Sequence, residues 1–298
     1  SWQAETVRIF QPKGVPFFRG EGGLGFTKGK MVQLPDGTLL SPMGGAWAGD
    51  GVARAWVVQS TDQGHTWGYR GTIDYSPRDP NPELPGHYVG AHEPSIAMLP
   101  DGRMVAVVRK QYAHYPGEYK PLAVCWSGDQ GKTWTKPVTT QPHLMNISPT
   151  LAALDNGVVA LQYGRPGFHV AFSTDDGHTW QDRVSFSHLP PPIITGQFDM
   201  VKVGPNQLVA VGSDQDGTRA WPLEVERVRV GPAQVALAGR VVDEQSDPIA
   251  GASVQRAPNR YAADDWLEHE TELDLWKAGP KLIGSPQLAF RSIQADSG

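Results

Sequence analysis

The chain has 298 residues, of which 39% are hydrophobic and 19% charged, with a net charge of −5. That balance excludes a disordered polymer and a general binder of nucleic acid, and no apolar run approaches the roughly 20 residues that a membrane helix needs. The 34 glycines, 26 prolines and 10 tryptophans describe short strands and tight turns rather than long amphipathic helices, so the predicted class is all-β.

Residues 1–29 lack both an initial methionine and a secretion signal, and read as the start of a mature or trimmed chain. The first clear unit follows as "KGKMVQLPDGTLLSPMGG" and "RAWVVQSTDQGHTWGYRGTID". The second reads "HEPSIAMLPDGRMVAVVRK" and "PLAVCWSGDQGKTWTKPVTT", and the third "ISPTLAALDNGVVALQYGR" and "FHVAFSTDDGHTWQDRVSF". A fourth, "GQFDMVKVGPNQLVAVGSD" and "TRAWPLEVERVRV", lacks the octet that the other three share. Each unit predicts four short strands joined by tight turns, and such repetition signals a β-propeller. Cys125, the single cysteine, lies in the apolar strand "LAVCWS" and is expected to be a buried thiol. No H-x-x-x-H spacing occurs, and neither a metal nor another cofactor is expected.

The shared octet is S-x-D-x-G-x-T-W. Its aspartates (Asp62, Asp129, Asp175) suit a hairpin turn, accepting backbone N–H bonds. Its glycines (Gly64, Gly131, Gly177) supply positive φ, and its tryptophans (Trp67, Trp134, Trp180) suit packing between sheets. Nothing in the octet needs a ligand. Laying the units in register on the turn glycine places Lys28, Glu93, Ser148 and Gln197 at one position, the start of each inner strand. Four different polar residues there predict a lined pocket rather than a purely structural repeat.

The octet resembles the Asp-box of the sialidase superfamily, also called the BNR repeat. The resemblance implies a six-bladed propeller, of which about four blades are recognisable here over residues 1–232, so the chain reads as a fragment. Residues 233–298 contain "VALAGRVVDEQSDPIAGASVQ", which resembles the opening of a carboxypeptidase regulatory-like or related Ig-like β-sandwich. Only three or four of the roughly seven sandwich strands can be counted.

"HEPSIAMLPDG" resembles the sialidase stretch in which a glutamate opening an inner strand acts as base to a tyrosine nucleophile. The resemblance makes Glu93 that base, with His92 where the family has asparagine. It makes Arg109 and Arg165 two members of an arginine triad for the substrate carboxylate, a task that suits the planar fork of arginine. Lys28 and Arg19 lie near the place of the first triad arginine, and Asp50 resembles the acid in placement. The nucleophile's position reads Gln197, which cannot form a glycosyl-enzyme. Tyr88, Tyr112 and Tyr115 are candidates for stacking on sugar rings. Two readings follow. One is a sialidase-like glycoside hydrolase acting on an acidic glycan, secreted or periplasmic and monomeric. The other is a non-catalytic propeller that binds glycans or proteins.

Overall fold

The computed structural model describes residues 8–10, 30–47, 49–78, 87–113, 122–140, 144, 147–164, 168–186, 198–214, 217–230, 234–241, 253–256 and 281–284. Among these every regular element is a strand. The strands are held in sequence by one turn design. Leu34 donates its N–H to the carbonyl of Thr38 (2.8 Å), and Gly37 to that of Leu34 (2.9 Å), while the Asp36 carboxylate accepts from the Thr38 N–H (2.9 Å). The same closure recurs at Leu99 and Gly102 and at Leu154 and Gly157. Asp101 and Asn156 accept the N–H groups of Arg103 and Val158 respectively. Gly37, Gly102 and Gly157 sit at φ between 80° and 88°, where a side chain is disfavoured.

The chain divides into two compact units, residues 1–139 and 140–298. The first holds two sheets. Strands β1 (Arg8–Phe10), β2 (Val32–Gln33), β3 (Leu39–Gly45), β4 (Arg54–Ser60) and β5 (Thr66–Asp74) lie in the order β1-β5-β4-β3-β2, with β1 parallel to β5 and the rest antiparallel. Strands β6 (His87–Met98), β7 (Met104–Ala113), β8 (Leu122–Ser127) and β9 (Val138–Thr139) form an antiparallel meander in chain order. Leu40, Ala55, Val57 and Ile73 from the first sheet pack on Ile96, Met104, Ala106, Val108 and Cys125 from the second. The period of two along each strand makes this possible by sending alternate side chains into one face. The sheets approach closely enough that a Cβ on Gly71 would sit 2.4 Å from the carbonyl oxygens of Gly131 and Lys132.

The second unit repeats the design. Strands β10 (Ile147–Ala153), β11 (Val159–Gly164), β12 (Phe168–Ser173) and β13 (Gln181–Ser185) form one meander, and β14 (Phe198–Gly204), β15 (Gln207–Asp214), β16 (Gly217–Val230) and β17 (Gln234–Val241) another. Their shared core centres on Phe168, whose ring lies 5.0 Å from Phe186, 5.2 Å from Phe198 and 5.4 Å from Trp221. Four sheets thus carry the up-and-down order of propeller blades, two in each unit. β17 lies on sequence assigned above to the sandwich module and pairs with β16. Farther along, β18 (Ser253–Arg256) pairs in parallel with β19 (Lys281–Gly284), which pairs with β13. The rest of that module lies outside the described residues.

Candidate functional site

β6 and β7 pair through His92 and Arg109 and resume at Ser95 and Val107, so Glu93 and Pro94 form a bulge between them. Glu93 sits at φ +47°, a conformation rare for a residue with a side chain, and the following proline narrows its options further. Such strain costs on the order of 1–3 kcal/mol and clusters at functional sites. The bulge brings the Glu93 carboxylate to Arg109, whose Nη1 donates to Oε1 at 3.1 Å. Arg109 is 8% exposed and His92 3%, so both side chains are held within the unit.

Arg109 and its neighbour point to opposite faces of β7. Lys110 shares the face of Met104, Ala106 and Val108 and donates to the Asp74 carboxylate at the end of β5. The two side chains are 2% and 1% exposed, and Ser76 donates to the other Asp74 oxygen at 3.0 Å. Cys125 lies in the same core, and burial, reinforced by the Asp74 charge against the opposing Lys110, pushes its thiol up to about 12. It is therefore an unreactive core residue. Sequence reasoning passed over this ion pair, although a signal exists: Lys110 falls on the apolar phase of the alternating strand "MVAVVRK".

Asp50 lies on the connection between β3 and β4. Both of its oxygens accept from Arg54, at 2.5 Å and 2.6 Å, and one also accepts from the Trp47 N–H at 2.8 Å. The Arg54 guanidinium stacks 3.9 Å from the Trp47 ring centre and 4.0 Å from that of Tyr75. Burial pushes the Asp50 carboxyl up, but the bonds from Arg54, Trp47 and Tyr75 outweigh it and hold the group below the ordinary range. A carboxyl held this way stays ionised near neutrality and anchors its loop. The structure brings Glu93 to Arg109 and Asp50 to Arg54. Lys28, Arg165, Gln197, Arg19 and Tyr115 lie outside the described residues, as do the side chains of Ser148 and Tyr112. The Tyr88 ring is buried.

The three octets form one repeated hairpin. Ser60 donates to Asp62 (2.7 Å), and Asp62 accepts from the N–H and hydroxyl of Thr66 (2.9 and 2.6 Å). The Trp67 indole donates to the Gly64 carbonyl at 2.9 Å. The set recurs at Ser127, Asp129, Thr133 and Trp134. It recurs at Ser173, Asp175 and Thr179, where the Trp180 indole N–H is buried without a partner. The residue before each glycine, Gln63, Gln130 or Asp176, lies at φ 58° to 61°. These carboxylates are consumed by their own turns. Among the described residues no group of three or more His, Cys, Asp or Glu is placed to hold a metal ion, and no helix is long and apolar enough to cross a membrane.

Residues 20–226 match the BNR repeat-like domain family. The chain belongs to that family. None of the curated proteins matches this BNR repeat-like chain. Among solved structures, a Dyadobacter fermentans protein of unknown function is similar at 18% identity and a TM-score of 0.53, over 80% of this chain and 59% of its own. The α-L-arabinofuranosidase of Fusarium graminearum is similar at 18% identity and a TM-score of 0.50, over 82% of this chain and 73% of its own. The NanB sialidase of Streptococcus pneumoniae is similar at 11% and 0.50, over 75% and 60%. At these identities the likeness is one of fold: the BNR repeat-like chain shares the propeller fold of a sialidase and an arabinofuranosidase. It spans less than two thirds of the length of the Dyadobacter and pneumococcal proteins.

Proposed function

We propose that this BNR repeat-like chain is a sialidase-like glycoside hydrolase that acts on an acidic glycan, with its site built around Glu93. The observation that carries the reading is the contact between Glu93 and Arg109 on a strained bulge: a carboxylate and a guanidinium set together midway along β6, six residues after the strand begins at His87. Glu93 would serve as base, and Arg109 with Arg165 would bind the substrate carboxylate. Lys28, His92 and Gln197 would line the pocket. Asp50 would have to leave Arg54 and take up a proton before acting as the acid. A secreted or periplasmic monomer, with a sandwich module after the propeller, belongs to the same reading.

The second reading, a non-catalytic propeller that binds glycans or proteins, is favoured by Gln197 at the nucleophile's position and by the commitment of Asp50 to Arg54. Turnover of aryl sialosides and aryl glucuronides separates the two. The hydrolase reading expects cleavage of one class and a loss of at least about 100-fold in Glu93→Gln, the scale of general acid–base catalysis. Equal turnover by both proteins would remove Glu93 from the chemistry, and binding without turnover by the wild type would select the second reading.

A further inference from the structure

Resting on the reading of Glu93 as a base, we propose that Gly90 is a positioning residue for it: with no side chain at Gly90, the backbone of Ala53 docks on the edge of β6 and holds the Glu93 bulge in shape. β6 lies at the edge of its sheet, with β7 on one side. On its other side Ala53, from the β3–β4 connection, makes a single parallel bridge to Gly90. The Ala53 N–H donates to the Val89 carbonyl at 2.8 Å, and the Ala53 carbonyl accepts from the Ala91 N–H at 3.0 Å. Ala53 and Ala91 are both buried, so the bonds are shielded from competing water. Glycine is what admits this approach. A Cβ on Gly90 would lie 2.3 Å from the Ala53 carbonyl oxygen and 2.4 Å from its nitrogen, and the residue sits at φ +121°, where a side chain is disfavoured.

The bridge is anchored from both ends. Within the connection the Trp47 N–H donates to the Asp50 carboxylate at 2.8 Å, and the Asp50 N–H donates to the Trp47 carbonyl at 2.9 Å. Asp50 in turn holds Arg54, the residue after Ala53, through two bonds. That closure fixes where the Ala53 backbone sits. On β6 the bridge spans Val89 to Ala91, and Glu93 follows two residues later. A strained residue persists only where its surroundings over-determine it. Glu93, at φ +47°, is held on both sides: the Ala53 bridge pins the strand before the bulge, and the pairing of Ser95 with Val107 pins it after. Releasing the bridge frees one end, the bulge relaxes, and the Glu93 carboxylate moves.

Hydrogen exchange, carbon-13 NMR and turnover of the full chain test this together. Gly90→Ala should speed exchange at the Ala53 and Ala91 amides by about fivefold or more, the scale of one lost hydrogen bond. It should also shift the side-chain carboxyl resonance of Glu93, assigned by its loss in Glu93→Gln. With aryl sialosides and aryl glucuronides, kcat should fall by about 10- to 100-fold, as a misplaced catalytic group costs, while KM changes little. Gly51→Ala is the control: it lies on the same connection, and its Cβ meets nothing within 4 Å, so all three readings should stay at wild-type values. Arg54→Lys keeps the charge beside Asp50 without the two-bond fork. It loosens the connection without crowding β6, and should move the same readings in the same direction even if Gly90→Ala does not fold. Faster exchange at Ala53 and Ala91 with the Glu93 resonance unmoved, or with kcat unchanged, would show that the bridge holds only its own edge, and the proposal would fail. If the resonance moves but the wild type cleaves neither class of glycoside, the positioning of Glu93 stands and the hydrolase reading falls.

Discussion

Asp74 and Lys110 bury opposite charges at 1% and 2% exposure, and desolvation makes such a pair a poor source of stability but a costly one to break. Lys110→Met leaves Asp74 charged in an apolar seam and should cost about 3–5 kcal/mol in urea unfolding. Adding Asp74→Leu should restore most of that loss, because two apolar side chains need no partner. A single variant as stable as the wild type would show that water reaches the pair. Alternation along β7 marks Lys110 as a charge on a buried face, but its partner lies 36 residues away and cannot be read from spacing. Glu93 is legible as the odd polar residue at a repeat position. Its positive φ is not, because the bulge depends on how two strands pair.

The hairpins carry their own acid sensitivity at the scale of the element. Hydrogen bonds from the side chain and backbone of Thr66, then from Ser60, hold Asp62 at about 2 against an ordinary 3.8. The side chain and backbone of Thr133 hold Asp129 likewise at about 2. A carboxyl depressed by folding stabilises fully above its unfolded pKa, and that contribution is lost as pH falls through the folded value. The melting temperature should therefore fall as pH drops from about 4 to about 2. The double variant Asp62→Asn/Asp129→Asn should start lower and fall less steeply, and parallel curves would contradict the assignment. β5 offers a second test. Gly71→Ala places a methyl 2.4 Å from two backbone oxygens, whereas a Cβ on Gly68 of the same strand meets nothing within 4 Å. Gly71→Ala should cost about 1–3 kcal/mol or more, and Gly68→Ala little, by chemical denaturation.

At the scale of the whole molecule, each unit has its own core, and stability in repeat architectures is approximately a sum of local terms. Ile96 is 1% exposed in the first core and Phe168 2% in the second. Ile96→Ala and Phe168→Ala should each cost about 2–5 kcal/mol. Hydrogen exchange should quicken first in β6–β8 for the former and in β10–β16 for the latter. Uniform acceleration along the chain would show that the two units unfold as one.

The repeat and its turns follow from sequence because their chemistry is local. The octet and the "DG" turns close their hydrogen bonds within four residues, so residue order is enough to specify them, and one such turn puts Glu93 and Arg109 on the two paired strands β6 and β7. Tertiary structure alone decided which charges meet. Asp74 takes Lys110 from 36 residues away, and Glu93 takes Arg109 across a bulge. These choices depend on a bulge between paired strands and on how closely two sheets approach, both set by packing between separate segments of the chain.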